Sequence, residues 1–145
     1  MVRMVYPVRL TLDTIDGGFT VTCRDFPEAI TQGETILQSV HEASDAIEEA
    51  IASRMKRGAG IPVPSRKKLG EHMATVPLST SLKAVLYQAM REDNISKSEL
   101  ARRIGVDEKE VRRMLDPRYP SKTPGLERAL LCLGRSVVAE FAKAA

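Results

Sequence analysis

The chain has 145 residues, 43% of them hydrophobic and 28% charged, with a formal net charge of +3. This is room for one ordinary domain or two small ones, with the composition of a globular protein. No apolar run approaches the ~18 residues of a membrane span and no charged-then-apolar leader opens the chain, so a cytoplasmic protein with no membrane partner is expected.

The charge is uneven. Residues 1–65 hold 6 Lys/Arg against 9 Asp/Glu, and residues 66–145 hold 16 against 10. An acidic front and a basic back point to two modules. The back suits a polyanion and the front a basic surface. Cys23 and Cys132 lie far apart without metal-ligand spacing. Free thiols are therefore expected, with no disulfide and no metal site.

Residues 4–12, MVYPVRLTL, read as a half-buried strand. Val8, Leu10 and Leu12 alternate with Arg9 and Thr11. Pro7 points to an edge position or to the start of a strand. Asp16-Gly17-Gly18 supplies a hairpin turn. The return strand covers 19–24, with Phe19, Val21 and Cys23 on one face. Asp25-Phe26-Pro27-Glu28 breaks the pattern before a short third strand at 29–31.

Thr35 opens a long helix, and Gln38 completes a capping box. Ile36, Val40, Ala43, Ile47, Ala50, Ile51 and Met55 form its apolar stripe. Glu42, Asp45, Glu48 and Glu49 form an acidic outer face, either plain solvated surface or a docking face. Arg54, Lys56 and Arg57 suit the C-terminal end of the dipole, and Gly58 stops the helix. Residues 58–68 are a Gly/Pro-rich bend and a basic run, a rim loop expected to be flexible over 66–71. Residues 74–78, ATVPL, are expected to return to the sheet as an edge strand, because Pro77 cannot donate to a ladder. The front module is then α+β, a small antiparallel sheet with one helix across it.

Ser79 or Thr80 is expected to cap a helix over 81–92, with Leu82, Val85, Leu86 and Met90 as its apolar stripe. The stretch 96–116, SKSELARRIGVDEKEVRRMLD, carries two capping boxes, Ser96 with Glu99 and Asp107 with Glu110. Gly105 separates them, where a left-handed residue ends a helix without steric cost. Ala101 is small enough for a close crossing. Leu100, Ile104, Val106, Val111 and Met114 make a small core. This pattern is a helix-turn-helix, whose second helix enters the major groove. Lys109, Arg112 and Arg113 oppose the Val111/Met114 side and are the groove-reading candidates, since Arg can hold guanine bidentately. Lys122 and Thr123, at the start of the next helix, are the phosphate candidates. A helical hairpin with a solvated basic face is the plainer alternative. Thr123 then caps a fifth helix with Pro124 at its first position, lined by Leu126, Ala129, Leu130 and Leu133 and closed by Gly134. Val137, Val138 and Phe141 beyond it form a dimerisation segment or pack back onto the core.

YPVRLTL, the Gly17-Gly18-Phe19 turn, Asp25-Phe26-Pro27-Glu28-Ala29 leading into Thr31-Gln32-Gly33-Glu34-Thr35, and Ile61-Pro62-Val63-Pro64-Ser65 resemble the HicB antitoxin family in order and spacing. The resemblance covers nearly the whole chain. It implies an N-terminal partial ribonuclease-H-like domain at 1–79 that binds and neutralises a HicA toxin, a small basic mRNA-cleaving ribonuclease. It also implies a C-terminal all-α helix-turn-helix domain at 80–145 that binds operator DNA and represses the chain's own operon as a dimer or tetramer. Asp25 and Glu28 are the candidates for toxin contact. No catalytic residue and no cofactor are expected.

Two other readings stay open. A metal-dependent nuclease would need Asp13, Asp16, Asp25 and Glu28 gathered around two ions. A plain repressor would sense a small ligand with its front domain. His41, on a helix, and His72, in a loop, have no partner at ligand or triad spacing and are expected at the surface. Gly58-Ala59-Gly60 lacks the Lys and helix of a phosphate loop.

Overall fold

In a computed structural model that describes residues 1–143, the chain divides into two compact units. One comprises residues 1–54 and 61–77, the other 55–60 and 78 onward. The architecture is α+β, with a four-stranded antiparallel sheet and five helices among the described residues.

In the first unit, β1 (Val5–Leu12), β2 (Phe19–Thr22), β3 (Ile30–Gly33) and β4 (Glu71–Thr75) stand in the order β3-β2-β1-β4. The β1–β2 hairpin turns through Gly17 and Gly18, both at positive φ, and Asp13 Oδ1 accepts from the N–H groups of Ile15 and Asp16. A side chain at Gly18 would also strike the Gly33 carbonyl at 2.6 Å. Tyr6, Val8, Val21 and Ala74 turn to one face and are buried. Helix α1 (Ile36–Lys56) buries Ala43, Ile47, Ala50 and Ile51 on its own stripe. Thr35 caps α1 by accepting from Gln38 N–H at 3.1 Å, while the Gln38 amide reaches back to Glu34 N–H at 2.8 Å.

Several expectations are corrected here. Pro7 lies in β1, an interior strand, opposite Met73 of β4. It is tolerated because the β1–β2 register begins only at Arg9, so Pro7 has a ladder on one flank alone. Leu12 and Ile36 are exposed, since each lies at the end of its element and past the core. Near the start of α1 it is Ser39 that is fully buried. Strand β4 covers Glu71–Thr75 rather than 74–78, and His72 therefore sits in a strand, half-buried opposite Val8. The segment 62–71 is pinned: Tyr6 Oη donates to Pro62 O at 2.7 Å, Ser65 N–H to Asp25 at 2.9 Å, Arg24 to Arg66 O, and Lys68 N–H to Glu71 at 2.7 Å.

The second unit is helical: α2 (Leu78–Glu92), α3 (Lys97–Ile104), α4 (Glu108–Met114) and α5 (Thr123–Cys132). Helix α2 starts three residues before its expected first residue, directly after Pro77, so Ser79 and Thr80 fall inside its first turn. Asn94, at φ 53°, ends it, with Ile95 N–H returning to Met90 O at 2.9 Å. Leu82, Leu86, Met90, Leu100, Val111, Met114, Leu126 and Leu130 are buried in one core. Tyr87 and Arg91 tie down the carbonyls of Ala59 and Gly58. Helix α5 has Lys122 at its N-cap with no side-chain hydrogen bond, so Thr123 is its first residue and Pro124 its second. The missing Pro N–H costs nothing there either, because the first turn's donors have no partner within the helix.

Candidate nucleic-acid interface

Helices α3 and α4 form where the sequence starts them. Ser96 Oγ accepts from Glu99 N–H at 3.1 Å and Asp107 Oδ1 from Glu110 N–H at 2.8 Å. Gly105, at φ 71° and ψ 36°, ends α3, and Val106 N–H bonds Ala101 O at 3.0 Å. Leu100, Ala101, Val111 and Met114 are buried between them, with Ile104 and Val106 half-buried. The Glu99 carboxylate is engaged by two arginines of its own helix. It holds Arg102 at 2.7 Å and Arg103 at 2.8 Å, and these guanidinium groups lower its pKa to about 2.

Lys109 and Arg112 project from α4 into solvent, opposite Val111 and Met114. Arg112 is held to Glu108 at 2.9 Å, which fixes the guanidinium along the helix and offsets part of its charge. Arg113 is less exposed. Its guanidinium stands 5.2 Å from the Tyr119 ring centre and 3.6 Å from Glu110. Ser121 Oγ donates to Arg113 O at 3.4 Å, which joins the end of α4 to the residues just before Lys122 and Thr123. A Cβ added to Gly125 would lie 3.6 Å from Met114 Cε, so the first turn of α5 sits close against α4. Lys109, Arg112, Arg113, Lys122 and Thr123 thus belong to two adjoining elements of one unit.

Two residues join this group that the sequence reading passed over. Lys83 of α2 is fully buried, and its ammonium donates to the carbonyls of Arg113 (3.0 Å), Asp116 (2.6 Å) and Tyr119 (2.6 Å). Burial pulls its pKa down, while Asp116 and Glu110 act in the other direction. The second is Tyr119, whose ring lies 5.8 Å from the Lys83 ammonium. A signal for Lys83 was present: with Leu86 and Met90 it falls at i, i+3, i+7, on the buried stripe.

In the first unit Asp25 and Glu28 both lie between β2 and β3, and both are occupied. Asp25 accepts from Ser65 N–H at 2.9 Å and Ser65 Oγ at 2.5 Å. Glu28 accepts from Arg54 at 2.6 and 3.1 Å, and Arg54 in turn lies 5.0 Å from the Phe26 ring centre. Asp13 is spent on its own hairpin turn, where the two backbone donors lower its pKa. Of the carboxylates that a nuclease reading needs, Asp13, Asp25 and Glu28 are thus given over to separate tasks. Among the described residues, no three His, Cys, Asp or Glu side chains gather in a metal-holding group. An open groove of about 490 Å³ beside β3 is lined by Asp13, Asp16, Glu34 and Glu42 with polar neighbours. Cys23 and Cys132 are free thiols. No helix among the described residues is long and apolar enough to cross a membrane.

Residues 5–85 match the family of HicB-like antitoxins of bacterial toxin–antitoxin systems. The chain is 36% identical over 134 residues to the protein named Antitoxin HicB of Escherichia coli (strain K12), covering 92% of this chain and 96% of that one. It is 33% identical over 136 residues to Antitoxin HicB 1 of Photorhabdus laumondii, covering 93% and 85%. It is 32% identical over 123 residues to Antitoxin HicB of Pseudomonas fluorescens, covering 84% of each. The family match spans the whole sheet and α1, and the Escherichia and Photorhabdus relatives run on through the α3–α4 pair and α5. The chain belongs to the HicB family of antitoxins.

Proposed function

We propose that this antitoxin binds and neutralises a HicA-type mRNA-cleaving toxin through its first unit, and represses its own operon through its second. The first unit is read as a partial ribonuclease-H-like domain within 1–79, and the second as a helix-turn-helix domain within 80–145. The observation that carries the reading is the α3–α4 pair. Both helices are capped by their own side chains, Gly105 turns the chain between them, and Lys109 and Arg112 are exposed on the side away from the buried Val111 and Met114. Such a helix fits the major groove, with Arg112 and Arg113 toward base edges and Lys122 and Thr123 toward phosphate. The acidic balance of residues 1–65 suits a basic toxin. Asp25 and Glu28, in the segment between β2 and β3, are assigned to that surface.

Co-expression with the neighbouring reading frame tests the first half. The chain is expected to co-purify with that product and to stop its cleavage of mRNA. A fragment of residues 1–79 that is folded yet fails in both would overturn this division of labour. Footprinting on the DNA upstream of the operon tests the second half, with a protected inverted repeat as the expected result.

A further inference from the structure

Lysine is among the residues least often found fully buried, because its ammonium loses a great deal of hydration. Lys83 is nevertheless 0% exposed. What the lysine adds is three donors, and each reaches a carbonyl. Those carbonyls are also the acceptors of the loop's own turns, taking the N–H groups of Asp116 (3.1 Å), Tyr119 (3.0 Å) and Ser121 (2.9 Å). Helix α4 ends without a left-handed glycine, since Leu115 has φ −96°. The ammonium therefore gathers the end of α4 and the whole loop behind it around one buried charge. Tyr119, placed by that loop, meets the Arg113 guanidinium at 5.2 Å from its ring centre.

We propose that Lys83 is a positioning residue of the DNA reader: from α2 it fixes the loop after α4, and through Tyr119 and Arg113 it sets how the basic side chains of α4 and α5 meet a duplex. This rests on the DNA-binding reading of the second unit. Lys83 itself touches no DNA, because its side chain is enclosed.

The test uses the full chain, wild type and Lys83→Met, titrated with a duplex of the DNA upstream of its operon and with a scrambled duplex of equal length. Titrations run at several salt concentrations, at a temperature where circular dichroism shows both proteins folded. The variant is expected to lose about tenfold in affinity for the upstream duplex. Its affinity for the scrambled duplex and its salt slope are expected to stay, because no phosphate-facing charge is removed. A purely structural lysine would lower the melting temperature and leave the preference of the folded protein intact, which overturns the proposal. A salt slope reduced by about 1 would make Lys83 a phosphate contact and also overturns it. Should Lys83→Met not fold, Tyr119→Ala keeps the buried core and is expected to lose preference in the same pattern. Full preference in that variant overturns the proposal. A wild-type protein that does not discriminate between the duplexes defeats the DNA-binding reading itself, a result distinct from any variant effect.

Discussion

The guanidinium of Arg24 and the carboxylate of Glu71 meet at 2.9 Å and again at 3.2 Å, joining the segment after β2 to the first residue of β4. Glu71 is only 5% exposed and also accepts from Lys68 N–H at 2.7 Å. Arg24 is the main cause of its lowered pKa, held at about 2 against an ordinary 4.5. A depressed carboxylate stabilises the fold fully above its unfolded value and loses that contribution as pH falls through the folded one. The first unit is therefore expected to lose stability between pH 4.5 and pH 2. Glu71→Gln is expected to melt lower at neutral pH and to show a shallower acid loss. Thermal melts across this range check it, and coincident curves for the two proteins would exclude the pair as a cause.

Gly33 and Ser39 give a second test, at the point where β3 passes the start of α1. A Cβ on Gly33 would lie 2.7 Å from the backbone N and Cα of Ser39 and 2.4 Å from its Oγ. The backbone has to give way, so Gly33→Ala is expected to destabilise the first unit by about 1–3 kcal/mol. Ser39 Oγ is buried with no hydrogen-bond partner among the described residues. Removing such a hydroxyl sheds a desolvation cost, so Ser39→Ala is expected to raise stability by about 1 kcal/mol. Chemical denaturation separates the two, because the expected shifts have opposite signs.

The third test is of the proposed DNA reader. Arg112→Ala is expected to cost about 1–3 kcal/mol at the operator and to relax specificity at one base position. Arg113→Ala removes both a groove candidate and one of the two cations beside the Tyr119 ring. Unchanged operator affinity in both variants would remove α4 from the groove. The Arg112–Glu108 contact at 2.9 Å adds a further expectation. Glu108→Gln takes a negative charge from the DNA-facing side and should tighten binding to any duplex, an effect that fades with added salt.

The α3–α4 pair was legible in the sequence because every signal there is local. Ser96, Asp107 and Gly105 act on backbone groups within five residues of themselves. In the first unit the misplaced features depend on partners far along the chain. Nothing near residue 71 says that Glu71 opens a strand, because its Arg24 partner is 47 residues away. Pro7 left an edge position and a strand start both open, since only the register shows that β2 stops short of it. Lys83 carried a periodic signal, yet hydropathy alone cannot tell a buried lysine from a solvated one. Its acceptors lie 30 to 36 residues downstream and are backbone groups that any sequence would supply.

The last test concerns symmetry. The segment after α5 is anchored at Arg135, which pairs with Asp93 and with Glu92 at 3.0 Å. Beyond that anchor Val138 is 63% and Phe141 97% exposed, and Leu131 on α5 is 55% exposed. Phe141 thus does not pack back onto its own core, and we propose that this segment meets a second copy of the chain. One helix-turn-helix reads few base pairs and binds weakly at cellular salt, whereas a two-fold dimer places two such helices about 34–36 Å apart. Deleting everything after Gly134 would also break the Arg135 pairs, so point variants are the cleaner probe. Phe141→Asp is expected to shift the chain toward monomer in sedimentation and to lower operator affinity steeply. Toxin binding by the first unit should remain. A variant that stays dimeric with full operator affinity would place the interface elsewhere, and a monomeric variant that still binds the operator fully would show that one reader is enough.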